Sequence, residues 1–306
     1  MIRLREHGSF PFLGIFSIAV VMLVTASGLA VEESRRFLEA LRGRGLHEQS
    51  ILYLERMKES PLAPADFKEV IDYELGVALI NAAMSGRIVE LREKQLNQAR
   101  TYFEKFIKEH PGHPMVFSAR SQLANLLVQR GRIEREKADE AENDEAREQL
   151  AKGARKLLDE AEIVFGEQEA QAIEEHEQFP KFIPQEETEK IEKRDQVRRD
   201  ILEARMALAG VKYELALTYP KGSDNYKKTM KEAAERYGQV YEKYSTRLVG
   251  LYARMWEGRC YKELGEHVRA FEAFEELLEQ PDEPEAFRAL ANRVMVLELE
   301  TCILPE

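Results

Sequence analysis

The sequence predicts an all-α fold: antiparallel helix pairs stacked in a row, interrupted by one long helical-hairpin insertion. Three observations predict it. The composition favours helix, since 33% of the 306 residues are charged and 44% hydrophobic, with abundant Glu, Lys, Arg, Ala and Leu and few β-branched runs. Small and large apolar residues recur at helical spacing, as in "YARMWEGRCYKELGEHVRAFEAFEELLEQP", which carries Ala253, Gly258, Tyr261, Gly265, Ala270 and Phe274. The same step then returns at several other places along the chain. A glycine inside a helix costs about 1 kcal/mol relative to alanine, so its regular use implies that a second helix approaches closely there.

Residues 1–30 are a separate segment. Arg3 and Arg5 precede the apolar stretch "FPFLGIFSIAVVMLVTASGLA". A basic start, an apolar middle from Phe12 to Val24 and a small-residue exit at Gly28-Leu29-Ala30 predict a secretory signal cleaved after Ala30. The alternative is an uncleaved membrane anchor through residues 10–30, because about 20 apolar residues span a bilayer. Either way the rest of the chain is expected to be exported, in the periplasm or cell envelope. Without residues 1–30 the net charge moves from −11 to −12, as Arg3, Arg5 and Glu6 leave. A polyanion with finely mixed charges, as in "EREKADEAENDEAREQ", is a poor partner for nucleic acid, which needs a basic face. Cys260 and Cys302 could pair in an oxidising compartment or stand as two separate buried thiols.

The units follow in order. Residues 31–132 hold units one, two and the start of three. Unit one, Val31 to Pro64, has Leu38-x2-Leu41, then Gly45, then Ser50-x3-Leu54. Unit two has Gly76-x2-Leu79 and Ala99-x3-Phe103, closed by "HPGHP". Unit three opens with Leu123-Ala124-x2-Leu127 and Gly131, and its second helix carries Ala154-x3-Leu158. Residues 133–200 read as a long charged arm: helices Ile133–Glu175 and Glu186–Tyr219 flank "EQFPKFIPQEE", where Pro180 and Pro184 force a turn. Phe179 and Phe182 are expected to pack on the neighbouring helix. The arm's sparse apolar positions, Ala138, Ala141, Ala146 and Leu150 against Ile191, Val197 and Ile201, suit a thin seam, with disorder an option over Ala138 to Glu148. Residues 201–281 hold units four (Gly210-x2-Tyr213, Ala233-x3-Tyr237) and five (helices Leu251–Leu264 and His267–Gln280 around Gly265). Residues 282–306 begin a sixth unit or form a capping helix. Its apolar face of Phe287, Leu290, Ala291, Val294, Leu297 and Ile303 is expected to dock a partner or further chain beyond Glu306.

Gly258-x2-Tyr261, Gly265, Ala270-x3-Phe274 and a closing Pro281 resemble the tetratricopeptide repeat, a helix–turn–helix unit of about 34 residues. This copy departs from the pattern where a large aromatic and a leucine should precede the glycine, since Arg254 and Glu257 stand there and Trp256 is displaced. Gly258 is expected to face Ala270 across the hairpin. That glycine-to-alanine step is the shortest of the set. Gly76 to Ala99 and Gly210 to Ala233 are each longer by about three helical turns, and Ala124 to Ala154 by about five. Lengthened helices or a loop insertion would give such a surplus.

The resemblance implies a curved α-solenoid that binds protein partners along a concave surface lined by the first helix of each unit. Tyr73, Asn81, Arg120, Asn125, Arg205, Lys212, Arg254 and Glu257 are the candidate contacts. Tyr237, Tyr241 and Tyr244 form a stripe that serves as core or as a partner-binding face. No enzyme, cofactor or metal is expected. The Gly43–Gly45 "GRG" lacks a phosphate-loop pattern. His47-Glu48 and His176-Glu177 have no histidine four residues on, and His110 and His113 alone are too few ligands for zinc. Glu174-Glu175 and Glu186-Glu187 lack calcium-loop spacing. A non-enzymatic scaffold or adaptor is the expected role, with a membrane-anchored structural spacer or the non-catalytic part of a larger protein as alternatives.

Overall fold

The computed structural model describes residues 26–86, 88–280 and 285–303. The expected signal or anchor lies outside them up to residue 25, as does Pro281. The described residues contain eleven helices and no strand: α1 (Ala26–Gly43), α2 (His47–Glu59), α3 (Ala65–Ser85), α4 (Val89–Glu109), α5 (Val116–Asp139), α6 (Asp144–Glu177), α7 (Thr188–Ala216), α8 (Asp224–Tyr244), α9 (Leu248–Leu264), α10 (His267–Leu278) and α11 (Glu285–Ile303). Each helix packs on its sequence neighbour, and α1, α3, α5 and α7 also touch in succession. This is an all-α solenoid of the tetratricopeptide type.

The small residues are where the hairpins close. A Cβ on Gly76 would lie 2.7 Å from the Phe103 ring, on Gly131 2.9 Å from Leu158, and on Gly258 2.6 Å from Phe274. Gly210 stands 3.4 Å, by the same measure, from the Tyr237 hydroxyl. Each first helix thus presents a small residue to a large one on the second helix, four positions after the repeat's alanine. This corrects the expected facing of Gly258 and Ala270: the glycine meets Phe274 and Ala273, while Ala270 is buried beside them. It also corrects the register of unit three, whose pivot is Gly131 rather than Ala124. The step from pivot to large partner is then identical in three units: Gly76 to Phe103, Gly131 to Leu158 and Gly210 to Tyr237. Unit five uses a shorter one, Gly258 to Phe274, and Leu38 and Leu54, both buried, keep that shorter spacing in unit one.

The surplus of about three turns is mostly helix. Helices α4, α6 and α8 begin about four turns before their pivot partner, whereas α10 begins about two turns before Phe274. The two short hairpins turn alike. Gly45 and Gly265 have φ of 69° and 76°, a left-handed conformation that glycine adopts without strain. The amide after each donates to a carbonyl in the last turn of the preceding helix, Leu46 to Leu41 and Glu266 to Tyr261, both at 2.9 Å.

The expected helix from Ile133 to Glu175 is two helices. The chain reverses at residues 140–143, where Asn143 Oδ1 accepts from the Ala146 amide at 2.8 Å. This side-chain cap supplies an acceptor for an amide that would otherwise be orphaned. The segment is therefore not a two-helix arm with its own seam. Ala138 is buried at the end of α5, and α6 runs back along α5, so that Val197 and Ile201 of α7 pack with Ala172, Phe117 and Phe179. Phe182, expected to pack, is 78% exposed.

Helix α7 joins two cores. Leu208, Val211 and Leu215 belong to a cluster with Phe103, Leu127, Leu158 and Phe165 of α4, α5 and α6. Ala209, Tyr213 and Ala216, on its other side, belong to one with Tyr237, Leu251, Phe274 and Val294 of α8 to α11. The stripe on α8 is graded: Tyr237 is buried, and Tyr241 and Tyr244 are half-buried. Both cysteines are free, Cys260 buried and Cys302 exposed, so the second is no buried thiol. The face of α11 expected to be bare is covered instead, because Leu290 and Val294 are buried and Phe287 and Leu297 pack beside them.

Candidate protein-interaction surface

The eight candidate contact residues lie on four first helices, and the structure uses most of them as ties between helices. On α3, Tyr73 is buried, with its ring 5.9 Å from Phe103 and its hydroxyl 2.9 Å from Ser118 Oγ of α5. Asn81 is half-buried, and its carbonyl accepts from Ser85. On α5, Arg120 donates to Gln171 of α6 at 2.7 Å, and Asn125 is exposed. On α7, Arg205 donates to Glu169 at 2.7 Å, and Lys212 pairs with Glu162 of α6 at 2.8 Å and Glu232 of α8 at 3.5 Å.

Arg254 and Glu257 of α9 are brought together. The Arg254 guanidinium reaches Glu257 and Glu276 of α10, each at 2.8 Å, and lies over the Tyr241 ring. Glu257 is buried and also accepts from the Tyr261 hydroxyl at 3.1 Å. Burial, the Glu257 charge and that hydrogen bond push Tyr261 up to about 12. Tyr73 and Glu257 are therefore interior groups, not surface contacts. The two departures from the repeat pattern are explained by the same network: Arg254 and Glu257 replace apolar contact with an ion pair. Trp256, displaced, stacks on Tyr237 at 6.0 Å and meets Tyr213 edge-on at 5.4 Å.

An ion triad around a buried carboxylate escaped the sequence reading. Asp72 of α3 is buried between Lys58 of α2 and Lys105 of α4, the latter at 2.7 Å. Burial alone would raise its carboxyl, but hydrogen bonds and charge from the two lysines win and hold it below its ordinary value. Arg132 of α5 and the buried Glu214 of α7 make a similar tie at 2.8 Å. Nothing in the spacing of these residues marks them out, because each is one of many charges on a helix. The signal available was weak: Asp72 lies among Val70, Ile71 and Leu75, an apolar run.

What stays open is smaller than the sequence suggested: Asn125 is exposed, and Asn81, Arg120, Arg205, Lys212 and Arg254 are open in part. Among the described residues there is no group of three or more His, Cys, Asp and Glu placed to hold a metal, and no helix is long and apolar enough to cross a membrane.

Comparison with known families matches the tetratricopeptide repeat at residues 72–113 and 252–282. These two stretches contain the hairpins closed by Gly76 on Phe103 and by Gly258 on Phe274. A search of the curated proteins finds no match. Tetratricopeptide repeats are commonly protein–protein interaction modules. With the pivots in register, the matched hairpins place tetratricopeptide repeats in both halves of the stack, at residues 72–113 and 252–282.

Proposed function

We propose that this chain is a non-enzymatic scaffold, exported by way of its N-terminal segment, that binds an extended peptide or a helix of a partner protein along the surface lined by α3, α5, α7 and α9. One observation carries the reading. Polar side chains on successive first helices (Asn81, Arg120, Asn125, Arg205) stay at least partly open to solvent, above an interior that the small-to-large pivots fill. A rigid row of this kind offers spaced hydrogen-bonding groups to a long ligand. The test is Asn125→Trp, which places a bulky ring on the open face without touching a pivot. Co-purification of the full chain from envelope extract should recover a stoichiometric protein that the variant loses. Recovery of none, or equal recovery by both, would refute the scaffold.

Export is checked separately by mass spectrometry of the mature protein, which should begin at Val31. A second reading, a spacer held to the envelope by an uncleaved start, draws on the 34-residue α6, about 51 Å long at about 1.5 Å per residue. An intact Met1 in envelope-bound protein would favour it.

A further inference from the structure

Helices inside the stack are covered on two opposite sides, as α9 is by α8 and α10. Among the described residues, helix α11 has α9 and α10 on one side only. The face turned away carries Met295, Val296 and Leu299, 43%, 52% and 61% exposed, in line with the exposed Asn292 and Cys302. These positions recur at three- and four-residue spacing, so they form one stripe along the helix. By the unit rule the element that suits this stripe is a helix antiparallel to α11, since α10 runs antiparallel to α9.

We infer that this element is α11 of a second copy, and that the chain forms a two-fold dimer through antiparallel α11 helices. Charge decides for a second copy. Arg293 and Glu300 lie on the same flank of the stripe, one toward each end. A two-fold axis near Leu297 sets Arg293 of one chain beside the partner's Glu300 and Met295 against the partner's Leu299. A parallel pairing would carry this flank to opposite sides of the seam and leave Arg293 and Glu300 without each other. Both groups also hold partners on α9 of the same chain, Arg293 over the Tyr252 ring and Glu300 on Lys262, so each would be shared between α9 and the second copy. The stripe is short, which places the dimer at the weak end of specific interfaces. The inference stands apart from the scaffold reading, which concerns the first helices.

Sedimentation of the full chain across the micromolar range should show a monomer–dimer equilibrium that stops at the dimer, because a two-fold contact closes on itself. Met295→Glu with Leu299→Glu should weaken it at least tenfold and leave the thermal midpoint of the dilute monomer unchanged, as both side chains are exposed. Asn292→Cys should cross-link to the partner's Cys302 with a short bis-maleimide, whereas Cys302 alone should not self-link. A chain that stays monomeric overturns the inference. So does growth beyond the dimer, a dimer indifferent to the double substitution, or a dimer without the cross-link. If the monomer instead shows slow hydrogen exchange at residues 295–302, the stripe belongs to residues 1–25 of the same chain.

Discussion

Hairpins α7–α8 and α9–α10 share one construction and differ in tolerance. In each, a small residue of the first helix faces an aromatic ring of the second. Gly258 meets the ring of a fully buried Phe274, and an added Cβ would stand 2.6 Å from it. Gly210 meets only the hydroxyl of Tyr237, with 3.4 Å available for the same atom. A glycine at a pivot is thus a packing necessity in one unit and dispensable in the other. The difference lies in whether the large residue puts its ring or its rim at the contact.

The largest expected effect lies between these two hairpins. At Gly250, in the first turn of α9, a Cβ would overlap the backbone carbonyl of Tyr244 at the end of α8. A side chain can rotate aside, but a helix terminus cannot. Gly250→Ala should destabilise by about 3 kcal/mol or more, at or beyond the usual range for overpacking, and should detach α9 to α11 first. Urea unfolding followed by Trp256 fluorescence checks it, since the only tryptophan reports on that half. Next comes Gly258→Ala. Phe274 has no room to withdraw, and the loss should be about 2 kcal/mol after the helix-propensity gain of alanine is subtracted. Restoring space with Phe274→Leu in the same chain should recover part of it, a coupling that a double-mutant cycle would read.

Charge ties both halves, through Asp72 in the N-terminal one and through Arg254 with Glu257 and Glu276 in the C-terminal one. Asp72→Asn leaves Lys58 and Lys105 without their shared anion. Both lysines are more than a third exposed, so the cost is below that of a fully buried pair, about 1–2 kcal/mol. The sign with pH follows from the lowered folded value. The native state holds Asp72 ionised at pH where the unfolded chain already takes up protons. The triad's contribution is complete above the ordinary value of 3.8 and is lost as pH falls below it. Wild type and Asp72→Asn should therefore converge in thermal midpoint as the pH drops toward about 2, and differ most near neutrality.

How much of this was legible in the sequence depended on whether the cause is periodic. Gly76, Gly258 and the left-handed turns at Gly45 and Gly265 repeat with the hairpin, so counting residues finds them, whereas Gly131 was passed over for Ala124. Gly250 does not, because its constraint comes from a carbonyl on the preceding unit. Asn143 caps α6 from within an acidic run that contains neither glycine nor proline, which is why Ile133 to Glu175 read as continuous. The candidate contact residues were the least legible. Tyr73 and Glu257 look like solvent-facing residues in a helical wheel, yet a hydroxyl on Ser118 and a guanidinium on Arg254 draw them inside. Periodicity locates a face; it does not say which polar groups a neighbouring helix has already claimed.

The smallest effect is the sharpest test of the pivot argument. If every pivot glycine were required by shape, Gly210→Ala would cost as much as Gly258→Ala. The 3.4 Å separation from Tyr237 predicts otherwise, because that is ordinary van der Waals contact and the hydroxyl is the far end of the side chain. Alanine then gains its helix propensity and restricts the unfolded chain, together up to about 1 kcal/mol. Gly210→Ala should leave the urea midpoint unchanged or raise it. Tyr237→Phe beside it should make no further difference at that contact, since the Tyr237 hydroxyl is its only near neighbour. A loss of about 2 kcal/mol in Gly210→Ala, the size that overpacking produces, would show that α7 and α8 sit closer than the ring geometry allows. One packing rule would then govern both hairpins.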